Sequence, residues 1–131
     1  MDQAQVHKKF IFNPKIDEGW LHGMYEYDYA YILEVFGNGL DTIREEMPGL
    51  CYAFESDDVN ALRKAVHKIK PIFGFAALLD HQELAARFEN SCASANNTAN
   101  LTMQYIELIE TINDAKGILQ AECKKLKAFI A

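Results

Sequence analysis

The chain has 131 residues, half of them hydrophobic and 24% charged, with a formal net charge of −6. That length suits one domain able to bury a core, and the composition excludes a disordered chain. No apolar run approaches the ~18 residues needed to cross a bilayer, and the acidic balance argues against wholesale binding to nucleic acid or to an anionic membrane.

Residues 1–9 contain no basic start followed by an apolar block and a small-residue cleavage site. They do not read as a signal peptide, so a cytoplasmic location is expected. Residues 1–24, with Phe10, Ile11, Phe12 and Trp20, read as an arm or short helix capping one end of a bundle. Tyr25, Tyr27, Tyr29 and Tyr31 alternate as in a strand. Yet Tyr29, Ile32, Leu33, Phe36, Leu40, Ile43, Met47 and Leu50 continue at helical spacing, and no second strand offers pairing. The spacing predicts a helix from about residue 28. It is expected to be disturbed near Gly37 and Gly39, and kinked or broken at Pro48 and Gly49.

Ser56, Asp57 and Asp58 supply the start signal of the next helix. Asp80 and Glu83 have the spacing of a capping box, followed by Leu84, Ala85, Phe88, Cys92 and Ala95 on one face, which predicts a helix over 81–95. After a polar loop, with Thr98 or Asn100 as N-cap, Leu101, Tyr105, Leu108, Ile112, Ala115, Leu119, Glu122 and Leu126 step by three and four. They describe a final helix of about 28 residues whose stripe Glu122 interrupts. The expected fold is therefore all-α: residues 25–131 as an up-down bundle of four main helices, with the N-terminal extension at one end. Cys51, Cys92 and Cys123 are odd in number and far apart, which argues against disulfides and against a CxxC metal site.

The helix begun at Asp58 carries the most informative residue. At ~100° per residue, Leu62, Ala65, Val66, Ile69, Phe73 and Ala76 share one side. His67 falls on the other, with Asn60, Arg63, Lys64, Lys70, Pro71 and Gly74 within one quadrant of it. A core histidine would lie on the apolar face. A metal ligand would need donors at i±3 or i±4, where Arg63, Lys64, Lys70 and Pro71 stand, and His7, His22 and His81 form no tight cluster with it. Two readings remain: a solvated surface histidine, or a nucleophile. Nearby cations disfavour the protonated ring and would stabilise an arriving phosphoryl group. Gly74 leaves the face open. No P-loop, glycine-rich nucleotide loop or carboxylate cluster for magnesium accompanies the helix, so another protein would have to deliver the phosphoryl group.

The segment His67-Lys-Ile-Lys-Pro-Ile-Phe-Gly-Phe-Ala-Ala-Leu78 resembles the phosphoacceptor helix of histidine-containing phosphotransfer (HPt) domains, whose usual pattern is Ala-His-x-Leu-Lys-Gly-Ser/Ala-Ser/Ala. Leu50, Ala53, Phe54 and Asp58 upstream, and Leu84 to Phe88 downstream, extend the likeness over roughly residues 25 to 126. The resemblance implies a phosphoryl carrier, not an ATP-dependent kinase. His67 would be the phosphoacceptor and Lys70 the residue that stabilises phosphate, with no metal or cofactor bound by the chain itself. Its partners would be receiver domains of response regulators or hybrid histidine kinases, which supply the magnesium and the acidic pocket. Arg63, Lys64, Pro71, Gly74 and Phe75 would face that partner, and a monomer is expected because the histidine face must stay free.

Four departures mark a His-x-x-Lys-Pro variant. Pro71 replaces the usual glycine and removes the amide that would bond the carbonyl of His67, predicting a slight kink at an intrinsic cost of ~3 kcal/mol. Ile72 and Phe73 replace small residues, with Ile72 and Phe75 expected at the rim as an apolar docking surface. Ala77 stands where many members carry a second glycine, and Val66 replaces the common alanine. The competing readings are a receiver-binding adaptor that is never phosphorylated, and a structural helical bundle acting as an interaction module.

Overall fold

The structure, a computed structural model, describes residues 9–131. Five α-helices run in order: α1 (Glu18–Tyr25), α2 (Tyr29–Glu55), α3 (Val59–Phe75), α4 (Leu79–Ser94) and α5 (Thr102–Ile130), the last preceded by a 3₁₀ turn over Thr98–Leu101. No strand occurs among the described residues. The alternating tyrosines are split instead between the end of α1, a turn and the start of α2. α2 packs on α3 and α5, and α4 packs on the same two helices, which closes a four-helix bundle. No helix among the described residues is long and apolar enough to cross a membrane.

Short links and aspartate caps set the helix boundaries. Asp17, Asp28 and Asp58 each accept a bond from the amide three residues on, satisfying a donor that the first turn leaves free. The α2–α3 and α3–α4 links share one backbone pattern. The amide of Asp58 bonds the carbonyl of Ala53, and that of Leu78 bonds the carbonyl of Phe73. Just before each lies a residue at positive φ, Asp57 or Ala77, as in the helix-ending motif usually built on glycine. The α1–α2 link turns at Glu26, with φ 56° and ψ −128°.

Several local expectations give way to packing. α2 runs unbroken through Gly37, Gly39 and Pro48. Pro48 is exposed, while Leu50 and Ala53 beyond it are buried and hold the last turns in place. Gly39 is a close-approach site: a Cβ there would lie 2.8 Å from Cγ2 of Ile72 on α3. The capping box of Asp80 and Glu83 does not form. α4 starts at Leu79 without a side-chain cap, and Asp80 sits in its first turn, where a negative charge suits the helix end. Asn97 caps the 3₁₀ turn in place of Thr98 or Asn100. The hydroxyl of Thr98 donates instead to the Phe54 carbonyl, and its amide to Asp57.

Phe36, Leu62, Ile69, Phe73, Leu108, Ile112 and Leu119 lie at the centre of the core, each burial contributing roughly 1.5–3 kcal/mol. The arm ahead of α1 adds Phe10, Phe12 and Ile16, whereas Ile11 and Trp20 stay exposed. The polar interruption of the α5 stripe anchors this arm. Glu122 is buried and accepts from the amide of Asn13 at 3.0 Å and from Lys125 at 2.8 Å. A buried carboxylate is tolerated only when bonded in this way.

Candidate functional site

On α3, Leu62, Ala65, Val66, Ile69, Phe73 and Ala76 are buried, as the periodicity requires. Ile72 packs against Gly39 and is largely buried, so it lines the groove beside Phe75 from below, and of the two only Phe75 is exposed. His67, Lys64, Lys68 and Pro71 face solvent, and Arg63, Lys70 and Gly74 are half-buried. α3 is helical without interruption across Pro71. Pro71 brings no amide, so the His67 carbonyl lacks its usual donor four residues on.

The residue that organises the site is one the sequence pattern did not single out. Glu89 on α4 places Oε2 2.7 Å from Nδ1 of His67, while Lys70 donates from Nζ to Oε1 at 2.7 Å. The carboxylate is mostly enclosed, its side chain 15% exposed, whereas the imidazole it holds is 66% exposed. Burial alone would push the pKa of Glu89 up. The hydrogen bonds and charges of Lys70 and His67 outweigh it, and the net shift is downward from the ordinary value. Glu89 is therefore ionised at neutral pH and can only accept. In a neutral imidazole the one ring proton then lies on Nδ1, and the lone pair is on Nε2 at the outer edge of the ring.

The other cations are less free than their spacing suggests. Arg63 donates to the side chain of Asn60 at 3.0 Å, and Lys68 lies 3.9 Å from Glu46 on α2. Lys64 makes no ion pair among the described residues. The space above Gly74 is occupied by Gln82 of α4: a Cβ at Gly74 would meet Nε2 of Gln82 at 2.6 Å. The carbonyl of Phe75 accepts from the hydroxyl of Tyr25 at 2.8 Å. Pro71 and Phe75 border a groove of about 480 Å³ with Tyr25, Tyr31 and Val35 beside them.

The remaining histidines stand apart. His7 lies outside the described residues, His22 stacks on Tyr27, and His81 is buried with its Nε2 2.8 Å from Asp114. No group of metal-binding side chains gathers among the described residues. Cys51, Cys92 and Cys123 are free thiols. Burial, against a partial offset from Arg63, pushes Cys92 up to about 11, far from a reactive thiolate.

A four-helix bundle that holds a solvent-facing histidine beside a lysine defines a class of protein, and comparison with known proteins agrees. The family model described as "Hpt domain" matches residues 33–128, and the chain belongs to the Hpt domain family, the phosphotransfer modules of two-component signalling. Modules of this family carry phosphoryl groups and interact with receiver domains. Among solved structures, the fold is similar to that of the HPT domain from the Hpt sensor hybrid histidine kinase of Shewanella. The TM-score is 0.74 and the identity 14%, over 85% of this chain and 95% of that one, a likeness that speaks for the fold alone. A search of curated proteins finds no match.

Proposed function

We propose that the protein is a phosphorelay carrier that holds a phosphoryl group on Nε2 of His67 between the aspartates of receiver domains, in response regulators or hybrid histidine kinases. The observation that carries this reading is the pairing of an exposed imidazole with an enclosed carboxylate, His67 Nδ1 to Glu89 Oε2 at 2.7 Å. It leaves the Nε2 lone pair free for in-line attack on an aspartyl phosphate. The N–P bond forms as the acyl phosphate P–O bond breaks, and the aspartate leaves as a carboxylate.

Lys70 sits one turn on, within reach of the phosphoryl oxygens, and compensates their charge. Arg63, Lys64, Pro71, Gly74 with Gln82 seated over it, and Phe75 form the surface that meets the receiver. Its cations favour fast encounter with an acidic partner. Such a carrier works as a monomer, with its histidine face unobstructed, in the cytoplasm.

The test is label transfer from a panel of phosphorylated receiver domains to the wild type and to His67→Gln. Label on the wild type alone supports the relay. Binding to a receiver with label on neither protein would replace it with the adaptor reading, and absence of binding would leave a structural bundle.

A further inference from the structure

We propose that the outer seam between α4 and α5 is a docking site for a basic amphipathic helix of a partner protein, held there while His67 stays open to receivers. This surface lies beyond the relay reading and shares no residue with the His67 site.

Two helix faces build the seam. Asp80, Leu84 and Phe88 recur every four residues along α4, and Met103, Glu107, Glu110 and Asp114 every three or four along α5, so each set shares one side of its helix. Between them lies a hollow of about 390 Å³ lined by Leu84, Glu107 and Glu110. A second, of about 190 Å³, continues from Leu84 and Glu107 to Phe88 and Gln104. Leu84, half-buried, and Phe88, buried, give the seam an apolar floor. Met103 and Ile106, 79% and 51% exposed, stand at its end and border a further hollow with Glu107 and Glu110.

The rim is acidic. Glu107 and Glu110 are exposed one turn apart, with Asp114 a turn further, and like charges at that spacing repel along a helix. Lys15 and His81 engage Asp114, but Asp80, Glu107 and Glu110 make no ion pair among the described residues. His81 lines the same hollow, with its side chain 8% exposed. Because Asp114 is ionised and accepts from Nε2, the neutral ring keeps an Nδ1 lone pair that has no donor.

Charge, length and shape decide what fits. Glu107 to Asp114 spans about 10 Å of helix, too far for one metal ion to bridge, and no group of metal-binding side chains gathers among the described residues. From Met103 to Asp114 the face runs about 16 Å, so a helix of three turns laid in the seam meets all of it. Lys or Arg at i, i+3 and i+7 on one edge of that helix matches the acidic row, and apolar side chains beside them meet Leu84, Met103 and Ile106. A second copy of this chain fits poorly, because a two-fold dimer through this face sets the acidic row against itself. An acidic receiver is repelled here and drawn to the cations beside His67. The two faces thus select partners of opposite charge.

The experiment titrates the full chain with a helical peptide of about 14 residues, made of lysine, arginine, alanine and leucine with its leucines at i, i+3, i+4 and i+7, and maps the contact by NMR. Micromolar binding is expected, with shifts confined to residues 80–91 and 103–114. A scrambled peptide of the same composition, which has no apolar stripe, should bind about tenfold more weakly. The double variant Glu107→Gln, Glu110→Gln should weaken binding roughly tenfold, and Ile106→Ser severalfold. All three side chains are exposed, so both variants stay folded. Label transfer from a phosphorylated receiver to His67 should be unchanged in both variants and should continue with the peptide bound, so failure of the relay and failure of docking are read separately. Equal affinity for the scrambled peptide, binding unaffected by the variants, shifts centred on His67, or self-association of the chain through Ile106 would each overturn the docking site.

Discussion

Two clusters in this molecule use the same three kinds of group, an imidazole, a carboxylate and an ammonium, with opposite exposure. His67 is bonded to Glu89 and Lys70; His81 is bonded to Asp114, which also holds Lys15 at 3.0 Å. In the first, the imidazole is 66% exposed and the carboxylate 15%. In the second, the imidazole is 8% exposed and the carboxylate 42%. The bond from His81, together with Lys15 and against partial burial, holds Asp114 below its ordinary range. Which partner is desolvated decides what the pair can do. A fixed, enclosed carboxylate presents an imidazole to a partner. A fixed, enclosed imidazole presents a carboxylate to the lysine of the N-terminal arm, and so ties α4, α5 and that arm together. Hydrogen bonding is common to both clusters, and access separates them.

The sharpest way to break the comparison is to remove each imidazole. His67→Gln is expected to abolish label transfer from receivers with little effect on stability. His81→Ala is expected to retain transfer but to cost about 1–3 kcal/mol in denaturant unfolding, through a lost buried bond and a small cavity. Loss of transfer in the His81 variant at temperatures where it stays folded would merge the two roles.

The lysines come next. Lys70→Ala should slow transfer by roughly 10- to 100-fold, the worth of one charge-assisted bond. Lys15→Ala should leave transfer unchanged and shift stability by less than about 1 kcal/mol, as expected for a surface pair.

A smaller effect concerns acid. Glu89 and Asp114 both have pKa values below their ordinary 4.5 and 3.8, so each contributes stability that is present above those values and lost as the pH falls through the lower folded-state ones. Unfolding midpoints should therefore decline as the pH drops below about 4.5, and the decline should be shallower in a Glu89→Gln, Asp114→Asn double variant. An identical slope in the two proteins would remove the electrostatic part of both clusters. Smallest of all, raising the salt concentration should slow encounter with an acidic receiver severalfold.

The outward placement of His67 was legible in the sequence because it depends only on the period of one helix, whose apolar residues Leu62, Val66, Ile69 and Phe73 fix the buried side. Glu89 was not, because which residue of α4 comes opposite His67 is set by how two helices pack, and the two residues are 22 apart in the chain. A faint signal existed. Gln82, Ala86, Glu89 and Ala93 form a polar and small-residue stripe flanking the apolar Ala85, Phe88 and Cys92, as expected of a helix edge beside a functional neighbour. The same blindness to partners made the cations look like a free patch, although Lys70, Lys68 and Arg63 are each engaged. No break occurs at Pro48, since local propensity yields where buried residues on both sides hold a helix together. Glu122, which reads as a flaw in the α5 stripe, is the point where the arm is fastened.

The turn at Glu26 has a consequence for engineering. Its φ of 56° and ψ of −128°, with the amide of Asp28 bonded to the carbonyl of Tyr25, are those of the first central position of a type II′ turn, a place normally held by glycine. An exposed glutamate there carries a steric cost on the order of 1–3 kcal/mol. Glu26→Gly should raise the melting temperature, even after the added freedom of the unfolded chain is subtracted. This surface turn, which takes no part in the proposed relay, is thus a reserve of stability on which substitutions around His67 could draw.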